Sequence, residues 1–447
     1  MNKFNVYVTS KNTDDRLKCY ELENFIINKD VKVENSVKIN TNRKYQKILG
    51  FGGALTEASA YALSKIEEDK QKKVLESYYS KEKGIGYSFA RVHINSCDFS
   101  LGNYSYVEDG DTTLETFSLE RDEKYVLPLI RKVKKMANDN LNILASPWSP
   151  PQYMKTNGEM NNGGKLREDC KQLWADYYVK YINKMKEKDI DIWGVTVQNE
   201  PAACQVWDSC LYTAEEERDF VKYFLGPTMH KNGLEDKKII IWDHNRDIVY
   251  DRAKTVLEDK EAAKYVWGTG IHWYVSEEFS NTSKVHDEFT DKHIIFTEGC
   301  QEGGVKLESW DTGERYGRNI IGDLNNYIEA WLDWNIALDE TGGPNHVNNL
   351  CDAPVIIDSV TKKVHYNSSF FYIAHFSKFI KKNAERIYSN VNGEKIHAVS
   401  CINEDNSLCM VIMNEGNQDK LVKLEIDEVS TIIELKANSI YTIVQEQ

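Results

Sequence analysis

Eight short apolar runs, most of them followed by a segment with helical periodicity, constrain this chain more than any other feature. The runs fall at residues 46–53, 87–94, 141–146, 192–198, 238–243, 266–273, 293–297 and 330–337. Most are rich in Val, Ile, Phe and Trp and lack the strict alternation of a half-exposed strand. Strands of that kind are covered on both faces, as in a parallel sheet flanked by helices. Helical patterns lie at 69–79, 125–137, 169–187, 213–224, 250–257, 317–328 and 368–380. In 125–137 the apolar residues Val126, Leu129, Ile130 and Val133 share one face. The segment 213–224 opens on Thr213 and three glutamates, which cap a helix and favour its positive end. Eight strands interleaved with helices predict an α/β fold, the (β/α)8 TIM barrel. A doubly wound open sheet is the alternative, but no GxGxxG follows the first strand.

The two ends of the chain read differently. Residues 1–45 carry short polar–apolar alternations at 4–8 and 31–37, and residues 385–447 carry more at 396–399, 408–413, 421–426 and 439–444. Asn and Gly turn signals separate them. The expected organisation is a barrel over 46–384 and a side β-sandwich made jointly from 1–45 and 385–447. Two independent β additions at the foot of the barrel are the alternative.

Composition narrows the partners. The 447 residues carry a formal net charge of -14, and the cations at 131–135 fall on an amphipathic helical segment. Phosphate neutralisation needs clustered Lys and Arg, so neither nucleic acid nor an anionic membrane surface is an expected partner. No run is long and apolar enough for an integral membrane segment. Nine cysteines at irregular spacings, behind an N-terminus without the apolar core of a signal peptide, predict reduced thiols and a cytoplasmic address. Cys204 and Cys210 are too widely spaced for a zinc knuckle, so no structural metal is expected. The sequence does not specify an oligomeric state.

In a TIM barrel, function collects at the C-terminal ends of the strands. Polar and aromatic residues end nearly every run here. Arg91 and Asp98 belong to the second, Trp148 to the third, Asn199 and Glu200 to the fourth and Arg246 to the fifth. His272 and Tyr274 end the sixth, Glu298 the seventh and Trp334 the eighth. A carboxylate at the end of a buried strand is costly unless it is used or paired. Two of them on one rim can cleave a glycosidic bond, one protonating the leaving oxygen and the other attacking the anomeric carbon. A metal-dependent hydrolase would want clustered His and Asp, whereas His244 and His272 lack a third ligand.

These motifs resemble glycoside hydrolase family 30, the glucosylceramidase family. They are GFGGALTEASA (50–60), RVHINSCDFS (91–100), LASPWSPPQYMKTNG (144–158), VTVQNEP (195–201), GIHWY (270–274), FTEGC (296–300), WLDWNIAL (331–338), GGPNHV (342–347) and FYIAHFSKFI (371–380). They run in order across almost the whole barrel. The resemblance implies a retaining β-glycosidase without a cofactor, acting on a carbohydrate or glycoside. It implies Glu200 as acid/base and Glu298 as nucleophile, with Asn199 on the sugar 2-hydroxyl and Tyr274 holding the nucleophile. Asp98, Trp148, Trp334 and Asn349 then line the sugar pocket, Trp207 stacks on an outer sugar or aglycone, and Arg91 and Arg246 support the carboxylates. His272 is expected as a supporting scaffold histidine, and Cys97 and Cys300 as buried, inert thiols. A β-glucoside is favoured, with β-xyloside, β-fucoside and β-1,6-glucan as alternatives. A sugar-binding barrel without activity is the non-enzyme alternative. The loop AACQVWDSC after Pro201 departs from the lipid-cleaving relatives in length and sequence, which puts ceramide in question.

Overall fold

The computed structural model describes residues 4–27 and 32–445. Val31, the start of the expected alternation at 31–37, lies outside the described residues. Eight parallel strands close into a barrel. Numbered along the chain, they are β1 Gly50–Ala54, β2 Phe89–Ile94, β3 Asn142–Pro147, β4 Gly194–Thr196, β5 Lys238–Asn245, β6 Val266–His272, β7 His293–Glu298 and β8 Ala330–Asn335. β8 pairs with β1 to close the ring. The eight apolar runs correspond to these strands. In the first, however, Gln46 and Lys47 belong to another sheet, and the barrel strand starts at Gly50. The inside of the barrel is filled by Phe89, Leu144, Ile240, Ile295, Ala330 and Leu332. A TIM barrel is thus a packed core whose chemistry lies at one end.

The helices close over the barrel with their apolar stripes inward. Val126–Met136 buries Val126, Leu127, Leu129, Ile130 and Val133, the face expected from its periodicity. Ala214–Phe220 is opened by a full capping box between Thr213 and Glu216. The helix expected at 317–328 instead spans Trp310–Asn325. Gly313 and Gly317 weaken the helical signal, yet a Cβ at either would come within 2.7 Å of the Tyr372 ring. Those glycines let this helix pack closely on Ser368–Ser377. No helix among the described residues is long and apolar enough to cross a membrane.

Both chain ends meet in one nine-stranded sheet, the side β-sandwich. Its inner strands join the N-terminal Asn35–Lys47 to Glu385–Asn392, and Phe4–Ser10 to Ser439–Gln445. Its two edges approach each other where Ile26 bridges Ile433. The enclosed core includes Val6, Val37, Ile39, Met410, Ile412, Leu424, Ile433 and Tyr441. A sheet that curls around such a core buries one face and leaves few open edges.

Candidate active site

The C-terminal ends of the barrel strands are irregular where the polar residues stand. The β5–β6 register shifts between Trp242 and His244, and both Trp242 and Asp243 have positive φ, 70° and 50°. The β7–β6 register shifts between Phe296 and Glu298, and the β8–β1 register between Asp333 and Asn335. Glu200, just beyond β4, has φ 48°. Such bulges and left-handed residues cost energy and re-aim side chains. Here they turn Asp243, Glu200 and Glu298 toward one point.

At that point Arg91, fully buried on β2, binds four partners. Its Nη1 donates to Glu298 Oε2 at 2.5 Å, and its Nη2 to Asp243 Oδ2 at 2.8 Å and Asn199 Oδ1 at 2.9 Å. Its Nε donates to Ser146 Oγ at 3.1 Å. His272 bridges the other side, with Nε2 3.1 Å from Asp243 Oδ1 and Nδ1 3.3 Å from Glu200 Oε1. The Tyr274 hydroxyl donates to Glu298 Oε1 at 2.9 Å. Carboxylate oxygens of Glu200 and Glu298 lie within 4.8 Å of each other. Retaining glycosidases hold their two carboxyl groups roughly 5–5.5 Å apart, and inverting ones roughly 6.5–9.5 Å to admit a water. The separation here is of the retaining kind.

Glu200, His272 and Glu298 also form the one acidic and imidazole cluster among the described residues with metal-like spacing. Both oxygens of Glu298 are already engaged, by Arg91 and by Tyr274.

The cavity above this network measures about 310 Å³. It is lined by all nine residues expected to act on the substrate: Glu200 and Glu298, with Asp98, Trp148, Asn199, Trp207, Tyr274, Trp334 and Asn349. Trp148 and Trp334 stack on each other, centroids 5.1 Å apart, and the Arg91 guanidinium lies 4.8 Å from the Trp148 ring. Asp98 accepts hydrogen bonds from Asn349 at 3.0 Å and Asn345 at 3.2 Å. Burial pushes Asp98 up to about 7 against the Asn349 bond. His346 from the loop after β8 meets Asp208 from the loop after β4 at 3.0 Å, tying the two loops across the mouth.

One expected supporting residue is elsewhere. Arg246 bonds Asp323 at 3.0 and 3.1 Å and Asn319 at 2.7 Å, both on helix Trp310–Asn325. It faces the helix layer and makes no contact with either glutamate among its hydrogen bonds. β5 instead contributes His244 and Asn245 to the cavity wall and Asp243 beneath it, which links Arg91 to His272 and so joins the two glutamates. Asp243 ends a strand-like run in the sequence, but the bulge that turns it inward has no sequence signature.

Burial favours the neutral acid in both glutamates, and nearby cations oppose it. For Glu200 the cations prevail over burial, since the His272 hydrogen bond and the charges of His244 and His272 hold it down. For Glu298 burial prevails, and the Glu200 charge adds to it, against His272 and Arg91. His272 is itself pushed up to about 9: burial opposes its charge, but Glu298, Asp243 and Glu200 outweigh burial. Asp243 is held well down, against burial, by Arg91 and His272.

A closed parallel barrel with two facing glutamates on its C-terminal rim and aromatic walls around them defines a glycoside hydrolase. The chain belongs to glycosyl hydrolase family 30, a family of retaining glycoside hydrolases, whose TIM-barrel domain matches residues 48–380 and whose β-sandwich domain matches 383–443. It is 34% identical over 440 residues to putative glucosylceramidase 3 of Caenorhabditis elegans, covering 94% of this chain and 83% of that protein. It is 36% identical over 401 residues to lysosomal acid glucosylceramidase of Mus musculus, covering 85% and 77%. The crystal structure of SrfJ from Salmonella typhimurium superposes over the whole of both chains with TM-score 0.94 and 31% identity. An endo-β1,6-glucanase structure also superposes over both whole chains, with TM-score 0.88 and 26% identity.

Proposed function

We propose that this protein is an exo-acting β-glucosidase that removes a single glucose from a small or apolar aglycone by double displacement. In this reading Glu298 attacks the anomeric carbon while Glu200 gives its proton to the leaving oxygen. The covalent glycosyl-enzyme is then released by a water from which Glu200, now the base, takes a proton. Arg91 and Tyr274 hold Glu298 in line, and Asn199, fixed by the same guanidinium, meets the 2-hydroxyl. Asp98 and Asn349 receive the hydroxyls at the far end of the ring, beside the stacked Trp148 and Trp334.

Burial at Glu298 and the cations beside Glu200 bias the proton of the pair toward Glu298, the reverse of what the first step needs. A bound glycoside corrects that bias. Positive charge grows at the anomeric carbon beside Glu298 and favours its ionised form. The proton then belongs to the Glu200–His272 pair, next to the leaving oxygen. Once Glu298 is esterified its charge is gone, which favours deprotonated Glu200 for the second step.

The observation that carries the reading is the pocket. Its volume is at the low end of small-molecule sites, which span roughly 300–1,000 Å³. Two loops tied by His346 and Asp208 border it. Val206 and Val275, each 63% exposed, stand on the loops at its mouth beside Trp207 and Tyr274. Exposed apolar side chains at a sugar-pocket entrance fit an apolar aglycone better than a glucan chain. The 26% identity to an endo-β1,6-glucanase of the same fold supports the second reading, internal cleavage of β-1,6-glucan. Hydrolysis of nitrophenyl β-glucoside, β-xyloside and β-fucoside, of glucosylceramide in detergent and of β-1,6-glucan separates the two. Glucose release from the aryl glucoside and glucosylceramide is expected. Oligosaccharides from the glucan, with little action on the monosaccharide glycosides, would replace this reading by the second. Preference for xylose or fucose would change the sugar, and an inert wild type would remove the proposal.

A further inference from the structure

We propose that Cys300 and Cys351 are a modification site in the wall of the catalytic cavity, where oxidation to a disulfide reversibly shuts the enzyme. All nine cysteines are free thiols. Cys300 and Cys351 are the two that line the cavity holding Glu200 and Glu298. Read alone, Cys300 is an inert buried thiol beside a catalytic glutamate. The fold gives it a partner 51 positions along the chain.

The backbone brings the two segments together. Glu302 and Cys351 form an antiparallel bridge, the Asp352 amide donates to Gln301 O at 2.8 Å, and the Gly303 amide donates to Leu350 O at 3.2 Å. Both thiols belong to the apolar cluster that also contains Trp148 and Trp334, and both face the same cavity. Cys300 Sγ lies 3.5 Å from the Tyr274 hydroxyl, and that hydroxyl donates to Glu298 Oε1 at 2.9 Å. The Cys300 thiol, the Tyr274 phenol and Glu298 are thus consecutive contacts. A second close pair, Cys401 and Cys409, faces across adjacent sandwich strands but is sealed in the core, 0% exposed. Only the cavity pair opens on a space that admits a small oxidant.

Hydrogen peroxide is the oxidant class the site admits. The Cys351 thiol gives up its proton as its sulfur attacks one peroxide oxygen, the O–O bond breaks, and the departing hydroxide takes that proton, leaving a sulfenic acid and one water. The Cys300 sulfur then attacks the sulfenyl sulfur, the S–O bond breaks, and a second water leaves with the remaining proton. Two thiols and one peroxide give one disulfide and two waters, the two electrons passing from sulfur to oxygen. Bonding draws Cys300 toward Cys351 and away from the Tyr274 hydroxyl, so Tyr274 and Glu298 lose their alignment. Displacing a reacting group by about 1 Å costs on the order of a hundredfold in rate.

The test treats the full-length protein with hydrogen peroxide and follows two readouts, the rate on an active glycoside and a peptide map. The expected map shows a Cys300–Cys351 linkage with loss of two hydrogens, Cys401 and Cys409 still reduced, and a rate down roughly a hundredfold. Dithiothreitol restores the rate. The variants Cys351→Ser and Cys351→Val keep their own starting rate through the same treatment. A map in which Cys300 and Cys351 stay unlinked overturns the proposal, whether or not activity is found. So does a linkage that leaves the rate unchanged, or a Cys351 variant that loses activity as the wild type does.

Discussion

Two arginines at the ends of barrel strands invite comparison. Arg91 and Arg246 are both 0% exposed and both paired with carboxylates, yet they belong to different regions. Arg91 stands inside the rim, shared among Glu298, Asp243 and Asn199. Arg246 stands outside it, clamped to Asp323 and Asn319 on helix Trp310–Asn325, with the Phe279 ring 4.7 Å from its guanidinium. Burial of a charge needs a partner in either place. What differs is whether the partner is itself free to react. One guanidinium organises chemistry and the other fastens a helix to the barrel.

Replacing Arg91 by Met should have the largest effect. It strips Glu298, Asp243 and Asn199 of their shared donor, and a fall in kcat/KM of roughly 10²–10³-fold is expected, as for other preorganised donors in active sites. Steady-state kinetics on an aryl glycoside measure it; a small loss would dissolve the distinction between the two arginines. Arg246→Met should instead leave Asp323 buried without its cation and lower stability by about 3–5 kcal/mol. Denaturant unfolding shows this, while kcat of the folded fraction stays near that of the wild type.

Tyr274→Phe removes one charge-assisted hydrogen bond from Glu298. Such bonds are worth about 1.5–3 kcal/mol, so a fall in kcat of roughly ten- to a hundredfold sharpens the map of the rim. The smallest expected change is in pH dependence. His272 has a folded value of about 9, above its free value. A group raised in this way stabilises the fold fully below its unfolded value, near pH ~6.5. That contribution fades as pH rises through 9. Activity should therefore fall on the alkaline side as the His272 proton leaves Glu200, and His272→Gln should lose that limb of the profile.

Most of the barrel was legible because its strands are buried on both faces and so carry unbroken apolar runs. The rim was legible where the chain is regular or where family motifs mark it: Glu200, Glu298 and the seven pocket residues meet in one cavity. Arg246 was not, and neither was Asp243. Counting alternate residues along β5 fails at a bulge, because two consecutive positive-φ residues reverse which side faces the barrel. Helix Trp310–Asn325 was half hidden because its glycines serve packing against Tyr372. Helix Ser280–Glu288 left no signal, since Asn281, Thr282 and Val285 are all it buries. The placing of Cys300 and Cys351 in one cavity wall depends on tertiary pairing of two loops, which no local pattern encodes.

The proposed mechanism rests on the division of labour between Glu298 and Glu200. It is tested most directly by the anomeric configuration of the glycosyl azide formed when azide rescues each alanine variant. With Glu298→Ala, azide takes the place of the nucleophile on the face opposite the leaving group, and the account predicts the α-glycosyl azide. With Glu200→Ala, azide attacks the glycosyl-enzyme on Glu298, and the β-glycosyl azide is expected. The reverse pair of products would contradict the assignment and make Glu200 the nucleophile.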